Sequence, residues 1–492
     1  MSNSVKLKES FEEIPRIEKG RMFFVNRDNA IDQLQRIHQS NFERALSKVG
    51  ADWIIPICDN IFGLGKSELA QKYIERCKAS RSAARSKRQL VTLEFQETLS
   101  QAVTVPIIFK EAELPNENVF EKILLKKLQD ALIPLFEIAP ACLYISSYPS
   151  TADFLSELIA EIGPVFIALD EIGLAFHIQD RNDIERRNLF LRFCDVVLRS
   201  WLLVPKLFFL VLGRGSFLNY VGCRPGSRKM PTVGPLTFER LNLKFVRPKS
   251  IKEILQKTYF GEETLFDYYK LTDEQADIVA ERLFSQTMGN PRFLLKTFKE
   301  CSTKQELIEY VVPSQITNYY EFFNYVLNNK RDIALMLQDS EARSYVDLTE
   351  EIISQDRSVP LEIIANNSFI AWEGELEAAQ LTASPATIKF LATYFLPLDD
   401  FLQLIMKDSL VPLDFPEAFE VMLVKRFQQM FATPQCPKDI LPSFFDSPRF
   451  GACEDLVLCD EMRLMPQIIP FLPIRQRGHS ISSRWIVIPR SA

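Results

Sequence analysis

The chain has 492 residues, 47% of them hydrophobic and 25% charged, with 38 Phe and a formal net charge of −6. That length implies about two to four domains, and the mildly acidic balance excludes polyanion binding through bulk charge while leaving a local basic surface possible. Nine scattered Cys without a C-x-x-C pair fit reduced thiols in an intracellular protein, cytoplasmic or nuclear, better than a disulfide framework, and only three His leave no His-rich zinc site.

Met1–Ser10 is polar, without an apolar signal region. The most apolar run, Trp201–Leu212, is interrupted by Pro205 and Lys206 and is too short to span a bilayer, so no membrane partner is expected. Residues 1–22 read as a loose N-terminal arm. Phe23-Phe24-Val25-Asn26-Arg27-Asp28 then leads into a helix whose apolar stripe is Ile31, Leu34 and Ile37.

The apolar run Trp53–Cys58 ends in Asp59-Asn60-Ile61-Phe62-Gly63-Leu64-Gly65-Lys66-Ser67, and a helical pattern follows through Leu69, Tyr73 and Ile74. Strand, glycine loop and helix form the context of a phosphate-binding loop. Glycines let successive N–H groups face phosphate oxygens, and the helix N-terminus adds positive potential. Asn60, Gly63, Leu64, Gly65, Lys66 and Ser67 would cradle the phosphates, with Lys66 on the β- and γ-phosphates and the Ser67 hydroxyl on Mg²⁺. The usual G-x-x-x-x-G-K-[ST] pattern opens on Gly; here Asn60 stands in its place, and Asn is the next-best residue at positive φ. The competing reading is an ordinary strand-to-helix turn.

Arg76, Lys78, Arg81, Arg85, Lys87 and Arg88 form a basic cluster, either a solvated helix end or a nucleic-acid contact. Gln89–Phe95 and Val103–Phe109 read as strands, and Val119–Phe136 and Ser150–Ile162 as helices. Val165-Phe166-Ile167-Ala168-Leu169 is an apolar run expected of a strand buried on both faces, ending in Asp170-Glu171. An Mg-nucleotide site needs a carboxylate at the end of a strand beside the loop: Asp170 is the candidate metal ligand and Glu171 the candidate base that activates water. Lys206–Leu212 is a second buried strand, with Arg214 at its tip. Arg214 and Arg292 are candidate catalytic arginines for the γ-phosphate, each with a surface role as its alternative.

Alternating strands and helices predict an α/β fold: a P-loop NTPase parallel sheet flanked by helices over 23–235, a helical lid domain over 236–312, and a mixed, mostly helical C-terminal domain over 313–492. In the lid, Thr272–Gln275 forms a capping box, and Gly289-Asn290-Pro291-Arg292 opens a further helix.

Phe24-Val25-Asn26-Arg27 resembles the Phe-x-Gly-Arg stretch before the phosphate loop of STAND-class signalling ATPases and their AAA+ relatives, with Asn26 replacing Gly. The resemblance implies Phe24, Val25 and Arg27 near an adenine base. Gly289-Asn290-Pro291 resembles the G-x-P motif of the STAND helical domain. Together with Leu169-Asp170-Glu171-Ile172-Gly173, these stretches look most like the ATPase module of Crinkler-type and retrotransposon-hot-spot-type proteins, over roughly residues 20–310. The N-terminal Leu-Phe-Leu-Ala-Lys entry motif of oomycete Crinklers is absent.

Many members of that group end in a nuclease. Phe415–Phe427 could supply its first helix, but no E-x-K follows residue 313, and Asp455, Asp460, Glu461 and Arg463 have the wrong spacing. Downstream of Glu461 there is no acid, while Arg475, Arg477, Arg484 and Arg490 add positive charge.

ATP and Mg²⁺ are thus the expected cofactors, and an unidentified protein the expected partner. A nucleotide-driven ATPase switch is the leading expectation. A non-hydrolysing nucleotide-binding scaffold, favoured by Asn60, and a DNA-directed effector are its alternatives.

Overall fold

A computed structural model describes residues 6–7 and, with short gaps, residues 14–383. The longer gaps are 48–52, 84–92, 226–235 and 311–328; Asn26, Ile61, Phe62 and Met288 also fall outside, as does all of 384–492. The expectations for 415–427 and for the arginine-rich tail therefore lie outside the described residues. Among those described, no helix is long and apolar enough to cross a membrane.

Five strands make the central sheet: β1 (Trp53–Cys58), β2 (Val103–Ile108), β3 (Val165–Asp170), β4 (Leu207–Leu212) and β5 (Leu236–Arg240). Their spatial order is β2-β3-β4-β1-β5, and every pairing is parallel. All C-terminal ends therefore point to one edge, where loops can meet over a ligand. The flanking helices are α1 (Asp28–Ser47), α2 (Lys66–Ala83), α3 (Leu93–Ser100), α4 (Phe120–Leu132), α5 (Thr151–Ile162) and α6 (Asp183–Phe193). This is a P-loop NTPase fold, as the sequence predicts.

Local chemistry explains the elements. In β3 five successive residues are buried, as a strand covered on both faces requires. Ser150 caps α5 by accepting the Asp153 N–H at 3.2 Å, and Asn182 and Glu185 close a capping box on α6. One core cluster is rich in Phe: the rings of Phe120, Phe176, Phe190 and Phe193 meet edge-on at centroid distances of 5.3–5.7 Å.

Two expectations need correction. Leu93, Glu94 and Phe95 open helix α3 rather than a strand, because Phe95 and Leu99, four apart and both buried, share a helical face; residues 89–92 lie outside the described residues. Leu236–Arg240 belongs to the sheet rather than to the lid, pairing with β1 from Trp53↔Leu236 to Ile57↔Arg240. As an edge strand it buries mainly Leu236, so its sequence carries little of the apolar signal of a central strand.

A helical module follows: α7 (Pro248–Lys257), α8 (Asp273–Thr287), α9 (Pro291–Glu300) and α10 (Lys304–Glu309). Its core joins Ile251, Ile254, Leu255, Val279, Leu283, Leu294 and Phe298 to Ile17 from the N-terminal segment. Ile17 is fully buried, its N–H bonds Tyr259 O at 2.9 Å, and Tyr259 N–H bonds Pro15 O at 2.9 Å. Residues 15–20 are thus built into the helical module, and the expected loose arm does not extend over them.

Beyond residue 329 the described residues include short antiparallel strands and the helix Leu361–Asn367. A buried polar ring ties them to the sheet module. Asn329 donates to Tyr220 OH at 3.1 Å, Ser354 donates to Asn329 Oδ1 at 2.7 Å, and Tyr220 OH lies 3.1 Å from Ser354 Oγ.

Between α1 and β4 sits a neutral histidine. β1 and β4 are paired only at Ile57↔Val211 and Cys58↔Leu212; just below lies Pro56, which has no N–H. The Phe209 carbonyl is bonded instead by His38 Nε2 at 2.9 Å, and Nδ1 meets Tyr73 OH at 2.9 Å. A carbonyl can only accept, so Nε2 carries the proton and Nδ1 accepts from the phenol. Burial lowers the His38 pKa to about 4. The unfolded chain then binds a proton that the folded one refuses. Stability should be full above about pH 6.5 and fall towards pH 4, by about 3 kcal/mol. Denaturant unfolding of wild type and His38→Gln across that range checks this: the variant should lack that slope.

Candidate nucleotide site

β1 delivers its chain into the loop 59–65, and α2 starts at Lys66. Gly63 (φ 81°) and Gly65 (φ 86°) adopt the left-handed conformation that turns the backbone here. Gly65 O accepts the Leu69 N–H at 2.9 Å as α2 begins. Lys66 is half-buried and its Nζ donates to the Asn60 carbonyl. Burial lowers the Lys66 pKa, opposed by the fields of Cys58, Glu171 and Asp170.

The tip of β3 lies across β4 from this loop, and its side chains reach it. Ser67 Oγ donates to Asp170 Oδ2 at 2.5 Å, and Asp170 Oδ1 accepts the Glu171 N–H at 2.8 Å. Glu171 has φ 55°, an uncommon value for a residue with a side chain, which marks a constrained position. Arg214, just past β4, sets its Nε 3.7 Å from Glu171 Oε2.

The helical module closes the other side. Arg292, the second residue of α9, donates its backbone N–H to Gly63 O at 3.2 Å and to Asn290 Oδ1 at 3.0 Å. A Cβ on Gly63 would stand 2.7 Å from both Arg292 Cβ and Asn290 Oδ1. Gly63 is thus required for this close approach as well as for its φ.

Between these elements lies a cleft of about 400 Å³, within the range of small-ligand sites. Its lining includes Phe24, Val25, Arg27, Gly63, Leu64, Gly65, Lys66, Ser67, Asp170, Glu171, Arg214 and Arg292. Of the residues singled out from sequence, Asn60 alone is not among the lining. It is buried under the loop, where its Oδ1 accepts from Cys58 Sγ at 3.3 Å.

Arg27 reaches the cleft, yet its guanidinium is directed elsewhere. It donates to Leu64 O at 2.7 Å and to Lys244 O at 2.8 Å, fastening the loop to the linker that enters the helical module. Burial lowers its pKa to about 10, so it stays charged at neutral pH. Phe23 and Phe24 sit among cations: Lys257 Nζ stands 4.6 Å from the Phe23 ring, and Arg76 stands 5.3 Å from the Phe24 ring while donating to Phe24 O at 2.8 Å. Arg76, from the basic cluster, is thereby engaged in packing; side chains from Arg81 onward lie outside the described residues.

Sequence reasoning missed three features. Arg21 lines the cleft. Asp59 and Arg240 form an ion pair at 3.0 Å, with the Asp59 side chain 4% exposed, and Arg240 Nη2 also bonds the carbonyls of Leu218, Asn219 and Val221 at 2.7–2.9 Å. Arg240 lies at the end of an edge strand far from Asp59 in sequence, so no local pattern joins the two.

No protein-family model matches the chain, and no curated protein matches it. Among solved structures it is similar to the ORC2 protein of Aeropyrum pernix in ADPNP–ADP complexes, at 13% identity, covering 81% of this chain and 98% of that one, with a TM-score of 0.39. A Walker-type ATPase of Pyrococcus abyssi overlaps at 16% identity, 78% and 99% coverage, and TM-score 0.34. Cdc6p of Pyrobaculum aerophilum overlaps at 13% identity, 82% and 98% coverage, and TM-score 0.32.

Asp59→Ala should destabilise the protein by about 2–4 kcal/mol, because it leaves a partly buried guanidinium without its carboxylate. Equilibrium denaturation measures this, and a change below about 0.5 kcal/mol would show that the three carbonyls hold Arg240 unaided.

Proposed function

We propose that the cleft binds ATP with Mg²⁺ and hydrolyses it, and that the nucleotide acts as a switch on the contact between phosphate loop and helical module. The observation that carries this is convergence. Lys66 and Ser67, Asp170 and Glu171, Arg214 and Arg292 come from four distant parts of the chain and line one cleft.

The chemistry divides among them. The N–H groups of Gly63, Leu64 and Gly65 and the Lys66 ammonium bind phosphate oxygens. Ser67 and Asp170 are hard oxygen donors already in contact, which suits Mg²⁺ completed by phosphate and water oxygens. Mg²⁺ held there would neutralise charge on the β- and γ-phosphates. Glu171 orients a water and takes its proton. Arg214 and Arg292 offset phosphate charge from opposite walls, with Arg21 adding to the same positive field. Phe24 and Val25 lie on the wall suited to a base. Asn60 contributes its backbone carbonyl to Lys66, and Arg27 holds the loop in place.

The switch follows from two adjacent carbonyls. Gly63 O is bonded by the Arg292 N–H, and Leu64 O by Arg27, which also grips Lys244 O. A phosphate that reshapes this loop must alter its hold on the helical module. The narrower likeness to STAND-class and Crinkler-type ATPases is carried by the sequence motifs alone. A DNA-directed role draws no support from the described residues.

Steady-state ATP hydrolysis with Mg²⁺, and nucleotide binding on the same samples, test the proposal in wild type, Lys66→Ala and Glu171→Gln. Wild type should turn over. Glu171→Gln should bind ATP yet lose about 100-fold or more in turnover, and Lys66→Ala should lose most of its affinity. Wild type that binds without turnover would favour the non-hydrolysing scaffold. Absence of binding would sink the nucleotide reading.

A further inference from the structure

Glu171 and Arg214 are drawn together by backbone packing as well as by charge. The short helix Ile172–Ala175 lies directly on the chain leaving β4: a Cβ on Gly173 would come within 1.6 Å of Arg214 O, and one on Gly213 within 2.9 Å of Ile172 Cγ2. No side chain fits at either position, so the two backbones set the spacing of Glu171 and Arg214. The resulting ion pair is loose. At 3.7 Å from Nε, Glu171 Oε2 is attracted without a hydrogen bond, and this buried oxygen makes none with the other described residues. A buried carboxylate oxygen so weakly held is readily exchanged to another partner. The cations whose fields reach it, Arg214 and Lys66, also line the cleft.

We propose that Glu171 and the terminal phosphate of a bound nucleoside triphosphate compete for Arg214. While the pair is intact, Glu171 Oε2 is turned to Arg214 rather than to a water. A terminal phosphate that draws Arg214 to itself releases Glu171 to act as base, so the base is freed only when a hydrolysable phosphate is present. A diphosphate lacks that group and leaves the pair closed. This rests on the nucleotide reading above and adds a control on when Glu171 acts.

The test is a double-mutant cycle of wild type, Glu171→Gln, Arg214→Met and the double variant. Binding of the non-hydrolysable analogue AMP-PNP and of ADP is measured for each, both with Mg²⁺. Neutralising Glu171 removes a negative charge near the phosphates, so tighter binding by itself decides nothing; its dependence on Arg214 does. Glu171→Gln should tighten AMP-PNP about three- to tenfold where Arg214 is present, the strength of a partly exposed ion pair. The gain should vanish in the Arg214→Met background, and ADP should change less than twofold throughout. Equal tightening in both backgrounds, equal tightening of ADP, or no tightening would overturn the competition while leaving nucleotide binding intact. Binding of neither nucleotide by wild type would overturn the nucleotide reading and the competition together. Thermal unfolding of the four proteins without nucleotide gives a second readout: the two substitutions should be non-additive, and strict additivity counts against the pair.

Discussion

Everything at this site depends on who bonds two consecutive carbonyls of the phosphate loop. A loop that turns its N–H groups towards a ligand turns carbonyls outward, and a buried carbonyl needs a donor. Here that of Gly63 is met from the helical module by the backbone of Arg292, and that of Leu64 by the guanidinium of Arg27, just ahead of α1. The absence of a side chain at Gly63 lets Asn290 and Arg292 come close enough. Loop shape, helical module and linker are therefore one hydrogen-bonded unit.

Charge placement around that unit is economical. Lys66, Arg214, Arg292, Arg21 and Arg27 line the same cleft as Glu68, Asp170 and Glu171, so its lining carries a positive excess. Beneath the loop, Cys58 is fully buried and burial pushes its thiol pKa up to about 12. At neutral pH it is therefore a protonated thiol that donates to Asn60 beneath the loop.

What was legible in the sequence was local or strongly patterned. The run into Gly63-Leu64-Gly65-Lys66-Ser67 and the apolar strand ending in Asp170-Glu171 announce themselves, because buried parallel strands read as unbroken apolar runs and their tips carry the chemistry. The edge strand β5 was hidden because only Leu236 of it is buried. The first turn of α3, Leu93–Phe95, reads as strand from sequence because a short apolar-acidic alternation fits both periods, and only the shared burial of Phe95 and Leu99 on one face decides between them. Asp59–Arg240 and Ile17 in the helical core are long-range meetings that no window of sequence contains. The placing of Arg27 near a base came from family likeness, and the structure shows the guanidinium bonded to Leu64 O and Lys244 O.

Ile17 has a wider meaning. The helical module takes its core from residues 246–307 and completes it with a segment that precedes the entire sheet module. During synthesis the Pro15–Gly20 stretch must wait until more than two hundred further residues have emerged before it finds Tyr259 and the surrounding helices. The two modules are therefore interleaved along the chain rather than strung in series. A fragment cut near residue 236 would lack a wall of its own core. Any movement of the helical module must carry with it residues 15–20 and so pull on Arg21–Val25, which line one wall of the cleft.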